Sequence, residues 1–185
     1  AEWARAGAAI IDADVLAREA VAPGTPGLAA VVAAFGPEVL HADGSLDRAA
    51  LRGLVFEDAA ARARLESIVH PEIARLRAER EAELAAAGAT LVVHVIPLLF
   101  EVGLERDFDV VVLVDAPEAV RRARLVERRG LDGEGARRMI AAQLPAAAKR
   151  AHATIVIDND GTLDALRERA RAVWTGLRER AAECA

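Results

Sequence analysis

The sequence predicts an α/β protein built on a doubly wound parallel sheet in three layers. Four short, continuously apolar runs rich in Val or Ile are typical of strands covered on both faces, and they occupy residues 8–11, 91–96, 110–114 and 155–157. Alanine-rich stretches with helical spacing separate these runs. Strands that alternate with helices indicate the α/β class.

The composition fits a folded globular protein. The 185 residues are 54% apolar and 29% charged, enough for one domain with a sizeable core. A formal net charge of -5 does not suggest nucleic-acid binding. No apolar run approaches the ~20 residues that span a bilayer, and the first residues do not resemble a signal peptide. With Cys184 as the single cysteine, we expect a cytoplasmic protein without a disulfide or a cysteine metal cluster.

The spacing of the predicted strands is uneven. Roughly eighty residues separate the first two, far more than one crossover needs. That interval carries helical patterns, at residues 28–35, 48–56, 62–69 and 72–87. A second helical excursion precedes the last strand. The predicted single domain therefore has three parts: a core (residues 1–14, 88–117 and 151–185), a helical insertion (15–87) and the excursion (118–150).

Two carboxylates follow the first predicted strand, at the sheet edge where open α/β proteins bind ligands. Asp12 and Asp14 flank an alanine, so both would point the same way from an extended segment. A carboxylate there can accept a hydroxyl proton or hold a magnesium ion through water. Alternatively, Asp14 caps the N-terminus of the next helix. The pattern alone leaves both interpretations open.

The excursion holds five arginines within nine residues, namely Arg121, Arg122, Arg124, Arg128 and Arg129. Arg124 and Arg128 are four residues apart, so a helix places them on one face, where guanidinium groups can hold phosphoryl oxygens. A solvated helix face with ion pairs is the alternative. The dipeptide Lys149-Arg150 either faces phosphate or lies at the C-terminus of a helix, where positive charge is favoured.

Three other residues receive structural predictions. His70 precedes Pro71 between two helical patterns of the insertion, which predicts an N-cap or junction residue. His94 lies inside a predicted strand and is expected to be a satisfied sheet residue. Trp174 falls on the apolar stripe of the closing helix, which indicates core packing.

Taken in order, these segments resemble the dephospho-coenzyme A kinase family. No segment is specific alone, but their number, order and spacing cover nearly the whole chain. The matching residues are 11–14 with 17–19, 42–48, 68–71, 97–101, 124–125 with 128, 141–143, 149–150 and 156–159.

The resemblance implies a P-loop kinase fold in which the insertion binds the acceptor and the excursion forms a lid. It implies transfer of the γ-phosphoryl group of ATP to the ribose 3′-hydroxyl of dephospho-coenzyme A, the last step of coenzyme A synthesis. The implied small molecules are ATP, dephospho-coenzyme A and Mg²⁺. No oligomeric state and no metal ligand follow from the residues.

The family motifs imply roles for individual residues. Asp14 resembles the group that accepts or orients the hydroxyl proton, and Arg124 and Arg128 resemble lid residues that neutralise the phosphates. Arg128 and Asn159 match ATP-binding positions. The implied acceptor-binding residues are Asp12, Arg18, His70, Pro97 and Leu98.

The sequence departs from the family pattern at three places. Val95 stands where an aspartate is common, and Thr154 replaces the aspartate that usually precedes the last strand. The glycine-rich loop ending in Gly-Lys-Ser/Thr is absent from the 185 residues, in which Lys149 is the only lysine. We therefore expect a fragment of a longer gene product, inactive by itself. A non-catalytic module that binds a coenzyme A precursor or a nucleotide is the alternative.

Overall fold

The computed structural model describes residues 2–183, so Cys184 lies outside the described residues. They form two compact units, one of residues 8–96 and one of residues 2–7 and 97–183, which are described separately. Among these residues, no helix is long and apolar enough to cross a bilayer. In chain order the elements are α1 (Glu2–Arg5), β1 (Ala9–Asp12), α2 (Ala13–Glu19), α3 (Pro26–Phe35), α4 (Arg48–Phe56), α5 (Ala59–Ala86), β2 (Val92–Val95), β3 (Val112–Asp115), α6 (Glu118–Arg129), α7 (Gly133–Ala141), α8 (Ala146–His152), β4 (Ile155–Asp158) and α9 (Leu163–Glu183).

The four predicted strands are confirmed, and all their pairings are parallel. β1 pairs with β2 in a register that runs from Ala9 opposite Val92 to Asp12 opposite Val95. β3 pairs with β4, and its register ends with Asp115 opposite Asp158. The described strands form two two-stranded sheets, so the expected three-layer arrangement stays a prediction. Three strands run one residue beyond the predicted ends because each includes its terminal aspartate.

The unit of residues 8–96 has a hydrophobic core of its own among its helices. Val31 and Val39 are fully buried at its centre, and the other core residues are Val21, Leu28 and Leu51. The start of α3 lies against the end of α2 so closely that a Cβ on Gly27 would lie 2.2 Å from the carbonyl oxygen of Ala20. Only glycine fits there. The helical patterns predicted at 28–35 and 48–56 are confirmed as α3 and α4.

Helix α5 corrects the prediction for His70. The two patterns at 62–69 and 72–87 form one continuous helix, with Pro71 inside it. His70 is therefore neither an N-cap nor a junction residue but an exposed helical residue. Pro71 has no N–H to donate to the carbonyl of Ser67, a defect that costs about 3 kcal/mol in a helix interior. The helix continues because α5 packs against α2, α3 and α4, and this packing offsets the local penalty.

His94 lies in β2, as predicted, and has a partner. Its Nε2 is 3.3 Å from Oε1 of Glu81 on α5. Burial lowers the pKa of His94, although the Glu81 carboxylate acts in the opposite direction. The expectation of a satisfied sheet residue is confirmed.

In the other unit, α9 packs against α1 through two tryptophans. Trp174 is 6% exposed, and its ring stacks on Trp3 with 5.7 Å between centroids. The indole N–H of Trp3 donates to the carbonyl of Ala170 at 2.7 Å. The prediction that Trp174 is a core residue is confirmed.

Pro71→Ala should stabilise the protein. Alanine restores the missing N–H and removes the ring from the preceding turn, so we expect the free energy of unfolding in urea to rise by about 1–3 kcal/mol. Pro26→Ala is the control, because Pro26 lies at the first position of α3, where proline is favourable. A loss of stability in Pro71→Ala would show that the proline supports a needed distortion of α5.

Candidate active site

Asp12 links β1 to α2 and caps the helix. Its Oδ1 accepts hydrogen bonds from the backbone N–H of Asp14 at 2.9 Å and of Val15 at 3.4 Å. The interpretation of Asp14 as the cap is therefore wrong, because the helix begins two residues earlier than the pattern suggested. The extended geometry that would point both carboxylates the same way is also absent from this segment, since Asp14 already lies in the first helical turn.

Apart from Asp12, the predicted site residues of this unit lie on two helices that pack together. Asp14 and Arg18 are exposed and four residues apart on α2, so they share a face. His70 is exposed on α5, which packs against α2. Asp14 and Arg18 therefore lie on one helix, α2. Their roles in binding stay predictions.

In the other unit, Pro97 and Leu98 begin a compact turn, here called the 97–104 turn. The carbonyl of Leu98 accepts a hydrogen bond from the N–H of Val102 at 3.1 Å, and the carbonyl of Leu99 accepts one from Leu104 at 3.1 Å. Leu98 is 48% exposed, and Pro97 is exposed as well. The turn therefore presents an apolar surface to solvent on a closed backbone frame.

Glu101 ties the 97–104 turn to α8. Its Oε1 lies 2.5 Å from the Nζ of Lys149 and accepts a hydrogen bond from the N–H of Leu144 at 3.1 Å. Both side chains are largely buried, at 16% and 11% exposure. Burial raises the pKa of Glu101, but the hydrogen bonds from Lys149 and Leu144 outweigh it and hold this pKa below its usual value. Glu101 is therefore a charged group inside the unit.

Arg150 joins the carboxyl ends of β3 and β4. Its Nη1 donates to Oδ2 of Asp115 at 2.9 Å and to Oδ1 of Asp158 at 2.8 Å. These two aspartates are directly opposite each other in the register, so their carboxylates would repel without the guanidinium. Both basic residues of Lys149-Arg150 lie in the last turn of α8, as one of the two interpretations expected. Their ion pairs were not predicted.

Asn159 follows β4 in a short loop, here called the 158–161 loop. Several backbone groups of this loop form hydrogen bonds. Its N–H donates to the carbonyl of Asp115 at 2.6 Å, and its carbonyl accepts from Nη2 of Arg124 at 3.3 Å. Arg169 donates to the carbonyl of Asp158 and to the Asp160 carboxylate. The structure thus brings together two predicted site residues, Arg124 and Asn159.

Arg124 and Arg128 lie on α6, which confirms the helical spacing expected for them. Arg128 is exposed in the last turn, and Arg124 is partly buried by its contact with the 158–161 loop. The helix ends at Gly130, whose φ of 64° is left-handed and suits glycine. Arg128 can therefore reach a solvent-borne anion.

Side chains that could bind a metal ion are not clustered in the described part of the chain. Residues 2–183 contain no group of three His, Cys, Asp or Glu side chains that could hold a metal ion. Magnesium in nucleotide sites is held by one or two carboxylates and by substrate phosphates, so a protein cage is not required. We assign no residue to Mg²⁺.

Comparison with known proteins identifies the family. The dephospho-CoA kinase family model matches residues 1–165. The chain belongs to the dephospho-CoA kinase family. It is 52% identical over 171 residues to the dephospho-CoA kinase of Frankia casuarinae, covering 92% of this chain and 73% of that protein. It is 49% identical over 172 residues to that of Anaeromyxobacter dehalogenans, covering 93% and 82%.

Two solved structures have a similar fold. TT1252 from Thermus thermophilus is 38% identical, with a TM-score of 0.78 over 95% of this chain and 88% of that chain. The dephospho-CoA kinase from Campylobacter jejuni is 23% identical, with a TM-score of 0.71 over 98% and 89%, and supports the fold alone. The mixed α/β architecture with parallel strands is that of a P-loop kinase-like fold.

Sequence reasoning missed Asp115, and it named Glu101 only as part of a family motif. A signal existed for Asp115, because an aspartate directly follows the predicted first, third and fourth strands alike. For Glu101, the signal was that an arginine-rich chain keeps a single lysine, Lys149. Neither signal names the partner of an ion pair, since the two members are far apart in sequence.

The capping role of Asp12 can be measured. Asp12→Ala removes the acceptor for two N–H groups of α2, so we expect the free energy of unfolding in urea to fall by about 1 kcal/mol. Asp12→Asn should restore most of it, because asparagine caps as well as aspartate. Asp14→Ala loses only a favourable charge in the first turn and should cost about 0.3–1 kcal/mol at low salt. A larger loss in Asp14→Ala than in Asp12→Ala would overturn the assignment.

Proposed function

We propose that the gene product containing this chain is a dephospho-coenzyme A kinase, in which ATP phosphorylates the ribose 3′-hydroxyl of dephospho-coenzyme A. The observation that carries the proposal is family membership, with about half of the residues identical to named kinases over more than nine-tenths of the chain. This reaction completes the coenzyme A molecule. The alternative of a non-catalytic binding module is not favoured, because these relatives are kinases.

In the proposed reaction, the 3′-oxygen of the acceptor forms a bond to the γ-phosphorus of ATP. The bond from that phosphorus to the β–γ bridging oxygen breaks, and ADP leaves. The hydroxyl proton passes to the carboxylate of Asp14. Asp14 suits this role because it is exposed on α2 and because Asp12 already supplies the cap.

Positive charge is proposed to come from α6. Arg124 and Arg128 neutralise the charge that develops on the transferring group, a contribution that preorganised donors make in phosphoryl transfer. Asn159 lies in the segment proposed to hold the adenine of ATP, and its backbone groups are already fixed by Asp115 and Arg124.

The acceptor is proposed to contact Asp12, Arg18, His70, Pro97 and Leu98. Mg²⁺ supplies charge neutralisation to the phosphates when it is bound, as ATP chemistry requires. Four further expectations remain predictions. They are the division into core, acceptor-binding insertion and lid, the three-layer sheet, the cytoplasmic location, and the lack of nucleic-acid or membrane partners.

Asp14→Asn tests the proton-accepting role. In the complete gene product, kcat should fall by roughly two to four orders of magnitude with the fold intact, because the amide cannot take the proton. Glu19→Gln is a matched control on the same helix, where Glu19 contacts Arg80 at 3.6 Å, and should keep near-normal turnover. Near-normal turnover in Asp14→Asn would remove the residue from the site.

Arg128→Ala tests the charge-stabilising role. We expect kcat to fall more than the KM for dephospho-coenzyme A rises, because the guanidinium acts mainly in the transition state. Arg167→Ala should be nearly silent, since Arg167 pairs with Asp164 and Glu2 on the surface of the unit. Equal kinetics of the two variants in the complete gene product would favour the solvated-face interpretation of Arg128.

A further inference from the structure

Two adjacent residues of α8 hold two different segments of their unit. Lys149 contacts Glu101 in the 97–104 turn, at 2.5 Å. Arg150 contacts Asp115 and Asp158, the terminal residues of β3 and β4. The proposed function uses residues from both segments, namely Pro97 and Leu98 for the acceptor and Asn159 for ATP. It gives no role to Lys149 or Arg150.

We propose that Lys149 and Arg150 are positioning residues of the reaction, Lys149 for the acceptor through the 97–104 turn and Arg150 for ATP through the 158–161 loop. The inference rests on the proposed function, which assigns the two substrates to these segments. Neither residue is required to touch a substrate. Each acts through the carboxylates that it contacts.

The geometry around Glu101 supports the first half of the proposal. Glu101 is the side chain through which the 97–104 turn contacts both α8 and the N–H of Leu144, which precedes α8. Its other oxygen, Oε2, is buried and receives no hydrogen bond within the described residues. Removing the Lys149 ammonium therefore leaves a buried carboxylate without its main partner. The turn would have to move to hydrate Glu101, and Leu98 would move with it.

The contacts of Arg150 support the second half. Asp115 binds Arg150 through its side chain and accepts the N–H of Asn159 through its carbonyl, at 2.6 Å. Asp158 binds Arg150 and directly precedes Asn159. The carboxylates of Asp115 and Asp158, the two residues next to the Asn159 N–H, therefore share the Arg150 guanidinium. Without it, two opposed carboxylates repel at the base of the loop.

Substitutions of the two adjacent residues, Lys149 and Arg150, are predicted to affect ligand binding differently. Lys149→Met keeps the apolar stem and removes the charge, and Arg150→Met does the same one residue later. A purely structural role would weaken the binding of both ligands together, as stability falls. Positioning predicts that each variant weakens the binding of one ligand, because each side chain holds one segment.

Titration calorimetry with the complete gene product separates these cases. Lys149→Met should raise the Kd for dephospho-coenzyme A about 3- to 30-fold and leave the Kd for ATP within about twofold. Arg150→Met should show the converse. Arg167→Gln is the matched control, because this arginine also contacts two carboxylates, Glu2 and Asp164, and neither lies in the two segments. It should leave both constants within about twofold.

A companion variant keeps the test decisive if Lys149→Met does not fold. Glu101→Gln is isosteric, removes the same charge attraction, and should raise the Kd for dephospho-coenzyme A alone. In the Glu101→Gln background, Lys149→Met should have little further effect, as coupled residues require. Charge-conserving Lys149→Arg and Arg150→Lys should recover much of the lost affinity.

Equal weakening of both ligands by each variant, or no change by either, would overturn the positioning roles while leaving the kinase proposal intact. A wild-type protein that binds neither ligand would overturn the proposed function, and the positioning roles with it.

Discussion

The organisation of this chain depends on where it places carboxylates at the ends of parallel strands. Asp12, Asp115 and Asp158 each occupy the last position of a strand, and Asp115 and Asp158 are opposite each other. Each is balanced locally, Asp12 by the first N–H groups of α2 and the other two by Arg150. Two proposed site residues come just after these balanced aspartates: Asp14 follows Asp12 by two residues, and Asn159 follows Asp158 by one. The balanced carboxylates thus set the backbone from which Asp14 and Asn159 project.

Local patterns predicted what local forces determine. Apolar periodicity reports directly which side of an element is buried. From it follow the four strands, α3, α4, the helical placement of Arg124 and Arg128, and the buried stripe with Trp174. The errors arose where tertiary packing overrides a local rule. Pro71 indicated a helix boundary, but α5 continues through it. The apolar residues Leu65, Ile68 and Val69 of this helix pack on the core of the unit of residues 8–96, and this packing holds the helix together. The cap was placed two residues late because an aspartate can end a strand and start a helix at once.

Ion pairs between distant residues were beyond the reach of sequence patterns. The contact of Arg150 with Asp115 joins residues 35 apart, and no periodicity links them. Lys149 is instructive because every other residue of the Lys/Arg type in the chain is an arginine. A lysine ammonium is a compact charge on a flexible stem, and it suits a nearly buried site where one carboxylate oxygen is the main partner. Arg150 reaches two carboxylates through one nitrogen, Nη1, from a more exposed position. The difference between adjacent residues reflects the shapes of their sites.

Two of the three departures from the family pattern, at Thr154 and Val95, can be understood from local contacts. Thr154 stands where an aspartate is usual, and its Oγ1 accepts the N–H of Val111 at 3.0 Å. The hydroxyl of Thr154 thus supplies a neutral hydrogen-bond acceptor at the start of β3 and β4. Val95 is opposite Asp12 in the β1–β2 register. An aspartate there would place two carboxylates side by side, the situation that requires Arg150 in the other sheet. With valine, Asp12 has no opposed charge, so its carboxylate can be balanced by the helix N-terminus alone, and β1 and β2 need no bridging arginine at their ends.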